Sequence, residues 1–197
     1  MLRIGLTGGI GTGKSTASKI LEKLGAYIFD ADKEAKKILL SNETIKSELI
    51  SEFGTDIMTG DGNVDNNKLA RVAFQDQDHQ LRLNTIVHPY VFKEIDKNFD
   101  RELDSGKHDI FVVDAALIYE SGADTHMDYV IVITALIKTR MERALARETL
   151  SREEILKRMD LQWSEEEKVA LADFVIHNDG PEKELIKNIT DIYKELV

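Results

Sequence analysis

The sequence predicts an α/β protein built on a parallel sheet with helices on both faces. Three observations carry that expectation. An apolar strand runs directly into a glycine-rich loop and then a helix. A second apolar strand follows that helix at once. Further apolar runs return late in the chain, after a long stretch of helical periodicity.

Leu2 to Thr7 is the first strand, and it stops at the glycines of "GLTGGIGTGKST", Gly5 to Thr16. Ala17, Ile20, Leu21 and Leu24 then recur at helical spacing. Gly25 supplies a stop for that helix, since glycine enters the left-handed conformation without a Cβ penalty. "AYIFD", Ala26 to Asp30, reads as a second strand buried on both faces. The next strands are "IFVVD", Ile110 to Asp114, "YVIVIT", Tyr129 to Thr134, and the short "FVI", Phe174 to Ile176.

About eighty residues separate the second strand from the third. A crossover between parallel strands needs roughly a dozen, so most of this stretch forms a lobe outside the sheet. Val91, Ile95 and Phe99 recur every four residues, and Leu69, Val72 and Ala73 mark another apolar helix face. "TGDGNVDNN", Thr59 to Asn67, is the clearest turn. Pro89 and Pro181 are both placed at helix starts, where a missing N–H costs nothing. Leu185, Ile186, Ile189, Ile192, Tyr193 and Leu196 mark a closing helix that docks by one face.

Composition excludes several classes. The chain has no cysteine, so it holds neither disulfides nor cysteine-ligated zinc, and its five histidines form no close pair. The net charge of −10 opposes general nucleic-acid binding. The longest apolar stretch, Val130 to Ile137, falls far short of a bilayer span, and the N-terminus has no signal-peptide pattern. A cytoplasmic protein without nucleic-acid or membrane partners is expected. An anionic ligand would need a site that concentrates positive charge of its own.

Gly8 to Ser15 fits G-x-x-x-x-G-K-[ST], set between a strand and a helix. Glycines let successive backbone N–H groups curl around a phosphate, and the helix N-terminus adds its positive dipole end. Gly9, Gly11, Thr12, Gly13, Lys14, Ser15 and Thr16 would contact ATP, with Lys14 on the outer phosphates and the Ser15 hydroxyl on Mg²⁺. Asp114 closes an apolar strand, the form of a second acid on the Mg²⁺ side; an acid capping the following turn looks the same. Asp30 and Asp32 in "FDAD" end the second strand, where a carboxylate can take a hydroxyl proton during phosphoryl transfer. Both could equally cap the helix that follows.

Arg140, Arg143 and Arg147 fall at i, i+3 and i+7, one stripe of a helix. With Lys138 against Glu142, the segment carries +3, either a phosphate clamp or a solvated face. The chain has no D-x-x-G, and its one N-K-x-x, Asn67 to Ala70, lacks the base-reading aspartate of a signalling GTPase. A small-molecule kinase fits best, with another acceptor or a non-catalytic nucleotide-binding module as the alternatives.

The motifs "GLTGGIGTGKST", "DAD" (Asp30 to Asp32), "LNTIVHPYV" (Leu83 to Val91), "LIYESG" (Leu117 to Gly122), "RALARETLSREE" (Arg143 to Glu154) and "ADFVIHNDG" (Ala172 to Gly180) appear in this order. Together they resemble the dephospho-coenzyme A kinase family over nearly the whole chain. The resemblance implies a P-loop NTPase fold of the nucleoside-monophosphate-kinase type: a five-stranded parallel sheet, a helical coenzyme-binding lobe and a lid. The core would take residues 1–32, 108–137 and 172–197, the acceptor-binding lobe 33–107 and the lid 138–171.

It implies ATP-dependent phosphorylation of the 3′-hydroxyl of dephospho-coenzyme A, the last step of coenzyme A synthesis, with Mg²⁺. By position, Asp32 matches the general base, Lys14 the phosphate lysine, and Arg143 or Arg147 the lid arginines that steady the phosphoryl group. His88 and Glu120 match acceptor-side positions. Two residues depart from the pattern: Ala116 where a proline is usual, and Arg140 where a glutamine is common.

Overall fold

The structure is a computed structural model that describes residues 1–197, the side chain of Leu40 excepted. Five parallel strands, β1 (Leu2–Thr7), β2 (Tyr27–Asp30), β3 (Ile110–Asp114), β4 (Tyr129–Thr134) and β5 (Phe174–His177), pair in the order β2-β3-β1-β4-β5. β3, an interior strand between β2 and β1, is buried along its whole length, as expected of a strand covered on both faces. The register sets Leu6 and Asp30 on either side of Asp114. The carboxyl ends of the three neighbouring strands therefore share one edge of the sheet, where ligands of open α/β sheets bind.

The α-helices lying wholly in the sheet-bearing unit are α1 (Lys14–Lys23), α6 (Ile137–Leu145), α7 (Arg152–Asp160), α8 (Glu165–Leu171) and α9 (Glu182–Leu196). On one face of the sheet Ile4, Leu6, Ile131, Ile133 and Ile176 pack with Ala17 and Leu21 of α1 and Leu185 and Ile189 of α9. Each such buried isoleucine or leucine side chain contributes roughly 1.5–3 kcal/mol. Ile186, expected on the same face of α9, is exposed, because one residue beyond Leu185 turns about a quarter of the way around a helix. Gly25 (φ 107) ends α1 in a Schellman motif, the Ala26 N–H reaching the Leu21 carbonyl and the Gly25 N–H that of Glu22.

The chain forms two compact units, one of residues 1–30 with 95–197 and one of residues 31–94. The second unit holds α2 (Ala31–Ser41), α3 (Glu43–Phe53), α4 (Asn66–Ala73) and the first part of α5 (Gln77–Ser105). Its core includes Ile45, Leu49, Ile57, Leu69 and Ala73. Asn42 caps α3 by accepting the N–H groups of Thr44 and Ile45, and Asp65 caps α4 through those of Asn67 and Lys68. Thr59 to Asn63 turns the chain between the paired residues Met58 and Val64. The later part of α5 belongs to the sheet-bearing unit, where Phe99 meets Phe111 edge-on and carries the Arg3 guanidinium 4.1 Å above its ring.

Pro89 does not start a helix; it lies inside α5. A proline there leaves the Thr85 carbonyl without its usual helical donor. The helix runs on because Leu83, Val87, Val91 and Ile95 continue one buried stripe past it. Pro181, by contrast, does stand at the start of α9. Among the described residues, no helix is long and apolar enough to cross a membrane.

Candidate active site

The loop from Gly8 to Gly13 joins β1 to α1 at the sheet's carboxyl edge. Gly11 (φ 81) and Gly13 (φ 99) take conformations that other residues avoid. A Cβ on Gly11 would overlap the backbone carbonyl of Arg140, so α6 lies directly against the loop. Thr12 closes the turn from within, its hydroxyl donating to the Gly9 carbonyl at 3.0 Å. The buried Asn178 amide donates to the Thr12 carbonyl at 2.7 Å, and Arg143 Nη1 reaches the same oxygen at 3.4 Å. Gly9, Gly11, Thr12 and Gly13 are thus parts of one braced turn, and Lys14, Ser15 and Thr16 follow it in the first turn of α1.

Lys14 opens α1 and its ammonium is paired with the Asp114 carboxylate. Their side chains are 14% and 9% exposed, so their mutual attraction is screened less than that of a surface pair. Ser15 is exposed in the first turn of α1. The structure therefore brings Lys14 and Asp114 together from positions a hundred residues apart.

The three arginines do not form one stripe. α6 ends at Leu145, and Arg147 lies beyond it, followed by Glu148 in the left-handed region (φ 53). Arg140 is buried, its Nε donating to the Ile10 carbonyl at 3.0 Å and its Nη1 3.3 Å from Glu165 Oε1. Arg143 and Arg147 instead line a cavity of about 380 Å³ with Gly11, Gly13, Thr16 and Asn178. Its size suits a small ligand, and its two guanidinium groups outweigh the Glu182 carboxylate that also lines it, the positive balance that a −10 chain needs for an anion. A cavity of about 440 Å³ in the other unit sets Glu34, Glu43 and Glu94 against Lys37, the wrong balance for an anion.

Glu120 is turned inward: Oε1 accepts from Lys168 Nζ at 2.9 Å and from the Trp163 N–H at 2.9 Å, while Oε2 is buried with no hydrogen-bond partner. Lys168 is fully buried and also donates to the Ala116 carbonyl. An ammonium survives such burial only when paired and hydrogen-bonded. Beside Glu120, the Tyr119 ring stacks on Trp163, and burial, with Asp173 and Asp124 nearby, pushes its hydroxyl up to about 12.

Asp32 and His88 belong to the unit of residues 31–94. Asp32 is exposed and is the second residue of α2, which starts earlier than its sequence implied. His88 is half-buried in α5 with its ring 5.8 Å from that of Phe92.

Asn178, Glu165 and Lys168 escaped the residue-by-residue reading. Asn178 follows the last strand within a motif, a usable signal. Glu165 and Lys168 lie in "SEEEK", a run that reads as a solvated face, and nothing local distinguishes its buried members.

The dephospho-CoA kinase family model matches residues 2–184. The chain belongs to the dephospho-CoA kinase family. The relative from Carboxydothermus hydrogenoformans is 42% identical over 90% of this chain and 85% of its own length. That from Aquifex aeolicus is 37% identical over 100% and 98%. Both are named dephospho-CoA kinase. Among solved structures, a dephospho-CoA kinase from Campylobacter jejuni superposes with a TM-score of 0.70 at 28% identity, covering 98% of this chain and 96% of that one. A shikimate kinase from Acinetobacter baumannii, at 12% identity, 100% and 93% coverage and a TM-score of 0.53, shares the fold alone. The chain is thus a kinase of the dephospho-CoA kinase family on a P-loop fold.

Proposed function

We propose that the chain transfers the γ-phosphoryl group of ATP to the ribose 3′-hydroxyl of dephospho-coenzyme A, giving coenzyme A and ADP. The observation that carries this reading is the phosphate loop of a dephospho-CoA kinase family chain, with Lys14 held on Asp114 beside a cavity lined by Arg143 and Arg147. The loop N–H groups and Lys14 hold the triphosphate, and the two arginines stabilise charge on the transferring group. Asp32 accepts the hydroxyl proton as the new O–P bond forms and the bond to the β-phosphate oxygen breaks. His88 and Glu120 serve the acceptor, Glu120 offering Oε2 as a buried acceptor atom that a ligand donor could satisfy.

Mg²⁺ fits the residues present. Among the described residues no cluster of three carboxylate or imidazole groups could cage a metal, but Mg²⁺ commonly uses one or two protein oxygens with water and phosphate. The exposed Ser15 hydroxyl and the Asp114 carboxylate would hold it. When bound, the ion neutralises charge on the phosphate oxygens. With both bound, Lys14 would pair with the triphosphate and Asp114 with the ion.

The test is an acceptor screen: ATP and Mg²⁺ with dephospho-coenzyme A, adenosine, shikimate or gluconate, and products identified by mass spectrometry. One added phosphoryl group on dephospho-coenzyme A is expected, and none without Mg²⁺. Phosphorylation of another acceptor in its place overturns the reading.

A further inference from the structure

One ion pair grips the phosphate loop from outside. Arg140 Nε donates to the Ile10 carbonyl at 3.0 Å, and Glu165 Oε1 accepts the Gly9 N–H at 3.1 Å. The two side chains meet at 3.3 Å and are 9% and 11% exposed. They come from different helices, Arg140 from α6 and Glu165 from the first position of α8. The fit against the loop leaves no room for a side chain at Gly9, whose Cβ would overlap Arg140 Nη2 and stand 2.5 Å from Glu165 Oε1.

The geometry has a directional consequence. Among the described residues there is no cis peptide bond, and in a planar trans peptide the C=O and N–H point opposite ways. An Ile10 carbonyl turned to Arg140 therefore sends the Gly11 N–H the other way. The same relation holds two residues on, where Asn178 and Arg143 hold the Thr12 carbonyl and so direct the Gly13 N–H. Arg140 commits Nε to the loop and Nη1 to Glu165.

We infer that Arg140 and Glu165 act as one positioning unit for the phosphoryl donor. They aim the Gly11 N–H at its phosphates without touching it. This rests on the kinase reading above. Removing either member leaves the other buried without its charge partner, so single losses should resemble each other.

The test measures steady-state kinetics of wild type, Arg140→Gln, Glu165→Gln and the double variant, varying ATP and dephospho-coenzyme A separately. Losing a hydrogen bond to a charged group should raise the KM for ATP about tenfold in each single variant, with the KM for dephospho-coenzyme A unchanged. The double variant should be no worse than the worse single, as for residues acting together. A purely structural role lowers the melting temperature and kcat at unchanged KM, or raises both KM values together; either result overturns the inference. Effects that multiply in the double variant overturn the pairing. Should Arg140→Gln fail to fold, Glu165→Gln, which keeps the size and an acceptor, carries the test. Should wild type not phosphorylate dephospho-coenzyme A, the proposed function fails, and calorimetric affinities decide the inference separately. Weaker ATP binding with unchanged adenosine binding supports it, and equal losses overturn it.

Discussion

The Lys14 ammonium sits on the Asp114 carboxylate, joining the first turn of α1 to the end of β3. Lys14→Ala should lower turnover on the order of 10² or more, as loss of a contact to transition-state charge does. It should also lower the melting temperature, because Asp114 is left shielded and unpaired. The double variant Lys14→Ala with Asp114→Asn should recover the melting temperature and not the turnover. Near-normal turnover in the single variant, by coupled ADP assay, would remove the loop lysine from the chemistry.

Asp32→Asn should cut turnover by about 10²–10⁴, the usual range for a general base. A dissociative transition state, in which the hydroxyl proton leaves late, moves the loss toward the lower limit. Dephospho-coenzyme A binding and thermal stability should stay near wild type, since Asp32 is exposed in the first turn of α2. Unchanged turnover would turn attention to Asp30.

Arg143 and Arg147 share the cavity beside the loop but differ in setting: Arg143 also reaches the Thr12 carbonyl, while Arg147 is exposed beyond α6. Arg143→Ala should therefore lower kcat and raise the KM for ATP together. Arg147→Ala should lower kcat and raise ATP hydrolysis relative to transfer, because an open site admits water. Parallel measurement of ADP and phosphorylated product separates the two, and wild-type values in both would make these arginines a solvated surface.

The helices α7 and α8 each begin with a reciprocal serine–glutamate cap, Ser151 with Glu154 and Ser164 with Glu167. The bonds from Ser151 and Ser164 hold the two carboxyls below the usual 4.5. A depressed carboxyl contributes stability above its unfolded value and loses it as pH falls through the folded one. Ser164→Ala should melt below wild type at pH 7, and the gap should narrow as pH drops below 4.5. The neighbouring Trp163 is the chain's single tryptophan, so its emission follows α8 directly. A gap independent of pH would show that the Glu167 charge plays no part in the cap.

Much of the molecule could be read from the chain alone. β1, β3 and β4 coincide with their apolar runs, because a strand covered on both faces needs nearly every residue apolar. The phosphate loop was legible for a related reason: its chemistry depends on the backbone of consecutive residues. Two readings failed where local pattern carries no information about neighbours. Pro89 resembled a helix start, yet buried residues on both sides carry α5 through it. Arg140, Arg143 and Arg147 had the spacing of one helical face, but α6 stops before the third.

By itself, then, the sequence determined the parallel α/β class, the strands, the phosphate loop and its lysine, since each depends on residues adjacent in the chain. Tertiary structure alone decided the strand order that sets Asp114 between Leu6 and Asp30, the Lys14–Asp114 pair, and the burial of Arg140, Glu165 and Lys168. A charged side chain carries no local sign of whether it faces water or a partner. That is set by which distant segment packs against it, and here the partners of Arg140 lie 130 residues earlier, at Ile10, and on α8.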